Sequence, residues 1–187
     1  MGDMGTLSFK AQDGSSVTGA MDDKMPSAYE ETWFQADGPG NGSGAANMWK
    51  YSNSSMEGVT LEASFTPSGA AEVDSSTDVR ITYTGIDGLT IGYAEGENKQ
   101  TAAAFDEQST MYLTYAYGPV TVGYQTAESD VQGGATSDAD TMIYGISYAV
   151  NDDLSVSYGV HEYEYGNTSL VDQESSGVST VSYTHLK

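Results

Sequence analysis

Short turns recur along this chain at a nearly fixed spacing, and the segments between them read as strands. Turn-forming Gly, Asn, Asp and Pro cluster at Gly2–Gly5, Asn53–Gly58, Gly85–Gly88, Gly118–Pro119 and Val150–Asp153. The last four clusters lie about 32 residues apart, room for two strands and two connections per repeat. The first interval, Asp3 to Ser54, exceeds that spacing by about 19 residues, and the surplus falls within Gln12–Ala46. Regular hairpins with one oversized connection suit a ring of antiparallel strands, with a loop long enough to enter the space enclosed.

Apolar residues recur with a period of two. In Ser109–Tyr117, Met111, Leu113, Tyr115 and Tyr117 share one face, while Thr110, Tyr112, Thr114 and Ala116 share the other. The same alternation predicts strands over Thr6–Ala11, Asn47–Ser52, Val59–Thr66, Asp78–Thr84, Leu89–Tyr93, Val120–Tyr124, Thr141–Tyr148, Leu154–Val160 and Val178–Thr184. No convincing amphipathic helix is present. The other connections, Pro67–Thr77, Glu97–Gln108, Ala127–Asp140 and Glu164–Gly177, are expected to be long polar loops. Short turns alternating with long loops are the asymmetry of an outer-membrane barrel. The expected class is therefore all-β, an antiparallel up-and-down transmembrane β-barrel. A soluble sandwich or barrel is the alternative.

Charge narrows the choice of partners. The 6 Lys+Arg against 27 Asp+Glu give a net charge of −21, the opposite of a nucleic-acid footprint and ill-suited to anionic phospholipid. Such an excess suits a saline habitat or an exposed cell surface, where screening limits self-repulsion. With no cysteine, disulfides and thiolate metal sites are excluded. No apolar run is long enough for a membrane-spanning helix, which leaves a membrane barrel open because alternating strands give no hydropathy peak.

The two faces carry different chemistry. Tyr51, Tyr83, Tyr117 and Tyr148 stand just before short turns on the apolar face. They would form an aromatic girdle at a membrane–water boundary. The opposite face is Thr, Ser, Gly and Ala, with Lys10, Lys50 and Arg80 at mid-strand. That is the wall of a water-filled lumen; a soluble carrier barrel would line its interior with apolar side chains. An acidic β-sheet surface protein of adhesin type, without a pore, is the competing function.

Several short motifs occur in a telling order. Gly2-Asp3-Met4-Gly5-Thr6-Leu7 resembles the turn-and-strand entry of Gram-negative general porins. Met21-Asp22-Asp23 through Tyr29-Glu30-Glu31-Thr32-Trp33 resembles their folded-in loop, and Asn47-Met48-Trp49-Lys50-Tyr51 with Met56-Glu57-Gly58-Val59 their next strand, turn and strand. The likeness is to porins of marine alphaproteobacterial type. It implies one porin domain over residues 1–187, incomplete at both ends of a barrel of about 16 strands, with Gln12–Ala46 as a constriction-type loop. It also implies a homotrimer among outer-membrane lipid, open to passive diffusion of ions and small hydrophilic solutes. Pore-constriction acids would come from Asp22, Asp23, Glu30 and Glu31, facing Lys10, Lys50 and Arg80, with a mild preference for cations.

No catalytic set is legible, so no enzyme is expected. His161 and His185 have no nucleophile nearby in sequence, and His161 falls on the polar face. No cofactor is expected. Asp22-Asp23, Asp138 with Asp140, and Asp152-Asp153 could hold calcium weakly, but none matches the twelve-residue calcium loop. The glycines of Gly38–Gly44 lack the following lysine and helix of a phosphate cradle.

Overall fold

A computed structural model describes residues 4–12, 14–22, 24–27, 46–68, 74–101, 104–131, 138–167 and 169–182. The chain forms one ten-stranded antiparallel sheet in which every strand pairs with its sequence neighbours, β1 through β10 in order. The strands are β1 (Thr6–Lys10), β2 (Met48–Met56), β3 (Val59–Thr66), β4 (Ser76–Ile86) and β5 (Leu89–Thr101), followed by β6 (Ala104–Tyr117), β7 (Val120–Val131), β8 (Ala139–Asn151), β9 (Leu154–Tyr165) and β10 (Gln173–Ser182). Strands β1 and β10 are the sheet's edges, so this is the open arc of an up-and-down barrel.

The short turns form a common rim. Gly58, Gly88 and Gly118 hold positive φ, the conformation that tight hairpins require and that side chains resist. Each turn also binds the next hairpin. The Thr84 N–H donates to the Gly58 carbonyl at 2.7 Å, Ala116 N–H to Gly88 at 2.8 Å, and Ala149 N–H to Pro119 at 2.8 Å. Gly88 has a φ of +75°, and a Cβ there would run into the Ala116 carbonyl oxygen. Gly88→Val is therefore expected to destabilise the folded barrel by about 1–3 kcal/mol, measured as a lower unfolding midpoint, with Asp87→Ala near neutral.

The sheet is inside-out relative to a soluble protein. Large apolar side chains stand exposed on the convex face, including Ile81 at 43 % and Leu113 at 38 %. Polar side chains make up about half of the buried set, among them Ser64, Asp78, Thr110, Gln125, Thr141 and His161. A soluble fold buries the first set and solvates the second, because apolar area is what water expels. This polarity is stable only when lipid covers the convex face and water or polar chain fills the concave one.

The strands outrun their apolar pattern, which corrects the expected loop boundaries. Glu97–Gln108 is not a long loop: β5 and β6 continue pairing from Glu97↔Glu107 to Thr101↔Ala104. Likewise β7 runs to Val131 and pairs Ser129 with Ala139. A strand of 14 residues, as in β6, is longer than the about 9–11 that cross a bilayer. Outward positions beyond the apolar band become carboxylates: Glu95 on β5, Glu128 on β7, Asp140 on β8 and Glu162 on β9. The backbone ladder persists in water, whereas apolar alternation stops at the edge of the lipid.

The four girdle tyrosines lie at the short-turn end of the convex face. Tyr117 pairs with Val120, which pairs with Tyr148; Tyr83 pairs with Val59, and Tyr51 with Leu7. The Tyr51 hydroxyl donates to the Met4 carbonyl at 3.0 Å. At the opposite end of the first strands, Phe9 and Trp49 pack with ring centroids 4.9 Å apart.

Candidate pore constriction

The polar wall of β2, β3 and β4 carries a compact charge cluster. Strand pairing puts Lys50, Ser64 and Asp78 in one row across the sheet, with Ser52, Glu62 and Arg80 in the next. Arg80 forms an ion pair with Glu62, its Nε donating to Oε2 at 2.6 Å. Asp78, 2 % exposed, accepts from the Ser64 hydroxyl at 3.2 Å. The two carboxylates thus sit beside two of the three cations expected on this wall.

The oversized first connection lies against this wall. The Lys50 ammonium donates to the Ser15 carbonyl at 3.1 Å, and the Ser16 hydroxyl to Asp78 Oδ1 at 3.2 Å. The Val17 N–H donates to the Ser64 hydroxyl at 3.0 Å. A short 3₁₀ turn, Gly19–Met21, follows, and Gln125 Nε2 on β7 reaches the Met21 carbonyl at 2.7 Å. Met21 and Met25 then pack with Ala94, Tyr112 and Ile143 of the wall in a buried apolar cluster. The described residues from Ser15 to Pro26 therefore cross from β2 to β8 over the inner face, held by hydrogen bonds at Ser15, Ser16, Val17 and Met21 and by packing at Met21, Met25 and Pro26.

The residues expected to form the constriction are only partly brought together. Lys50 and Arg80 stand on neighbouring parts of the wall, and Lys10 lies exposed on β1, paired in register with Met48. Asp22 is exposed at the end of the 3₁₀ turn, its carbonyl accepting from Lys24 N–H at 3.2 Å. Asp23, Glu30, Glu31, Tyr183 and His185 lie outside the described residues. Lys50 donates to the Ser15 carbonyl and Arg80 to the wall carboxylate Glu62, where loop acids had been expected. Alternation alone puts Glu62 on the polar face, but its pairing with Arg80 is not legible, because β3 and β4 are joined by a long connection whose length does not fix which residues face each other. His161 is fully buried on the inner wall of β9, opposite Ile143. Among the described residues, no group of three or more His, Asp or Glu side chains converges as a metal ion would need.

Glu62→Gln is expected to release the Arg80 guanidinium from its neutralising partner. The whole protein's reversal potential in a salt gradient should then move toward anions, with an equal and opposite movement for Arg80→Gln.

Comparison with known proteins agrees with this architecture. Among solved structures, the chain is similar to OmpT, an outer membrane protein of Vibrio cholerae, at 15 % identity and a TM-score of 0.65, covering 94 % of this chain and 60 % of that one. It is also similar to an anion-selective porin from Comamonas acidovorans, at 12 % identity and a TM-score of 0.62, covering 86 % and 54 %. The chain thus spans somewhat over half the length of each, and identities this low speak to the fold alone. No curated protein matches it. The family model for Gram-negative porins matches residues 1–185, which accounts at once for the lipid-facing apolar side, the polar wall and the hairpin order: the chain belongs to the Gram-negative porin family, whose place is the outer membrane.

Proposed function

We propose that the whole protein is a passive diffusion pore of the outer membrane for ions and small hydrophilic solutes, narrowed by its first long loop, and not an enzyme. The observation that carries this is the segment Ser15–Pro26 lying across a polar concave wall. A loop hanging in external solvent would have no use for the buried acceptors and donors that hold this one. A soluble adhesin-like protein accounts poorly for Ile81 and Leu113 standing outward while Gln125 and Asp78 are buried. With β1 and β10 as open edges, this arc would close with further strands and, like the trimer form of the Vibrio cholerae outer membrane protein, assemble as a trimer in lipid.

Selectivity follows from charge. The wall cations Lys50 and Arg80 are matched by Glu62 and Asp78, so the acids of the long loop, Asp22, Asp23, Glu30 and Glu31, tip the passage toward cations. Screening weakens that preference as salt rises, because the Debye length falls from about 10 Å at 0.1 M to about 3 Å at 1 M. Changing the four acids to Asn and Gln should abolish the cation preference in single-channel reversal potentials. Unchanged selectivity and conductance in that variant would make the loop an outer ornament and refute its role.

A further inference from the structure

Four glycines from four consecutive strands stand in register on the concave wall. Gly123 of β7 pairs with Gly145 of β8, Gly145 with Gly159 of β9, and Gly159 with Gly177 of β10. The result is a side-chain-free trough running perpendicular to the strands. One bordering row contains Tyr112, Gln125, Ile143 and His161; the other contains Ala116, Thr121, Ser147 and Ser157.

The first half of the trough is occupied. A Cβ on Gly123 would strike the Pro26 ring and lie 3.0 Å from the Met25 sulfur, and a Cβ on Gly145 would lie 3.1 Å from the Pro26 carbonyl oxygen. A side chain at Gly123 would push the Pro26 ring off the wall, and one at Gly145 would crowd the Pro26 carbonyl by a few tenths of an ångström. Gln125, on the rim beside Gly123, is fully buried. Its Nε2 bonds both the Met21 carbonyl, at 2.7 Å, and the Thr110 hydroxyl, at 3.1 Å. Its Oε1 has no hydrogen-bond partner among the described residues, so this amide is buried for the sake of the inward segment it holds.

We infer that the glycine trough, with Gln125 on its rim, is the seat that fixes how far the inward segment stands off the wall, and that these residues thereby set the bore of the passage. The inference rests on the pore function proposed above. Gly123 and Gly145 act as positioning residues: they touch the segment, and through it the width left for solutes. A methyl group on Gly123 lifts Pro26 toward the centre. Loss of the Gln125 amide leaves the segment in place on average but frees it to leave the wall.

Thiol labelling tests the seat without reference to conduction. The chain contains no cysteine, so Met25→Cys in the whole folded protein gives a single reporter beneath the segment. It should react slowly with a water-soluble maleimide. Gln125→Leu should speed labelling about tenfold, the equivalent of about 1.4 kcal/mol, the size of one buried hydrogen bond. Gly123→Ala should also speed it, and adding Pro26→Ala, which removes the clashing ring, should slow it again. Equal labelling rates in all four proteins would overturn the seat. Planar-bilayer recordings then read the bore: Gly123→Ala should lower unit conductance and the size of the largest sugar admitted, with Pro26→Ala restoring both, while Gln125→Leu should raise current noise. Restored labelling without restored conductance would refute the control of bore. Absence of any conductance from the unaltered protein would refute the pore and leave the labelling result to decide the seat.

Discussion

Leu113→Arg is expected to cost the membrane-embedded barrel about 2–4 kcal/mol, because Leu113 points outward at the middle of the apolar band and a guanidinium there must lie in hydrocarbon. Its neighbour Thr114 points the other way, toward the concave wall, so Thr114→Arg should cost under about 1 kcal/mol and chiefly alter conductance. Denaturant titration of the whole protein refolded into bilayers checks both. The contrast between adjacent residues is the informative quantity: it reports that Leu113, and not Thr114, faces an apolar medium. Equal costs would mean that neither face meets lipid.

Excising the long loop should have the largest effect on transport. Replacing residues 14–45 by a short turn removes everything that lies across the wall from Lys50 to Gly145. Unit conductance should rise at least about twofold, because current follows the narrowest column of water, and discrimination between small and large sugars should fall. The barrel should survive, since each strand pairs with its sequence neighbours through its own ladder, and none of the described loop residues supplies a rung. It will be less stable, having lost the packing of Met21 and Met25 against Ala94, Tyr112 and Ile143. An excised variant with native conductance would place the narrowest point elsewhere.

How much of this was legible in the sequence depended on which physical signal each feature leaves. The face assignment in β6 could be read directly, because a period of two separates Met111, Leu113 and Tyr115 from Tyr112 and Thr114 with no knowledge of neighbours. The ends of β5 and β6 could not. Apolar alternation records where lipid ends, whereas Glu97, Asn98 and Asp106 continue the hydrogen-bonded ladder in water, where composition looks like a loop. The Glu62–Arg80 pair and the Gly123–Gly145 pair lie across long connections, so their register is a tertiary fact. Gly145 and Gly159 lie on either side of the short turn at Asp152-Asp153, but a register shift between Ala149 and Asn151 means that counting outward from the turn pairs Gly145 with Val160 instead. The length of the inward segment was plain from the hairpin spacing, and its apolar anchors Met21 and Met25 were visible among the acids. Its partners were not: a glutamine and two glycines on β7 and β8 carry no sequence mark of a docking surface.

The central claim is that the apolar face of this sheet meets lipid while the polar face, with the loop upon it, meets water. Single cysteines placed one at a time along Met111–Tyr117 test it most directly, because the chain supplies no competing thiol. With the whole protein in liposomes and a membrane-impermeant maleimide in the water, cysteines at Thr114 and Ala116 should label, and those at Met111, Leu113 and Tyr115 should stay dark until detergent is added. Uniform labelling, or labelling of the Met111, Leu113 and Tyr115 positions alone, would contradict the account.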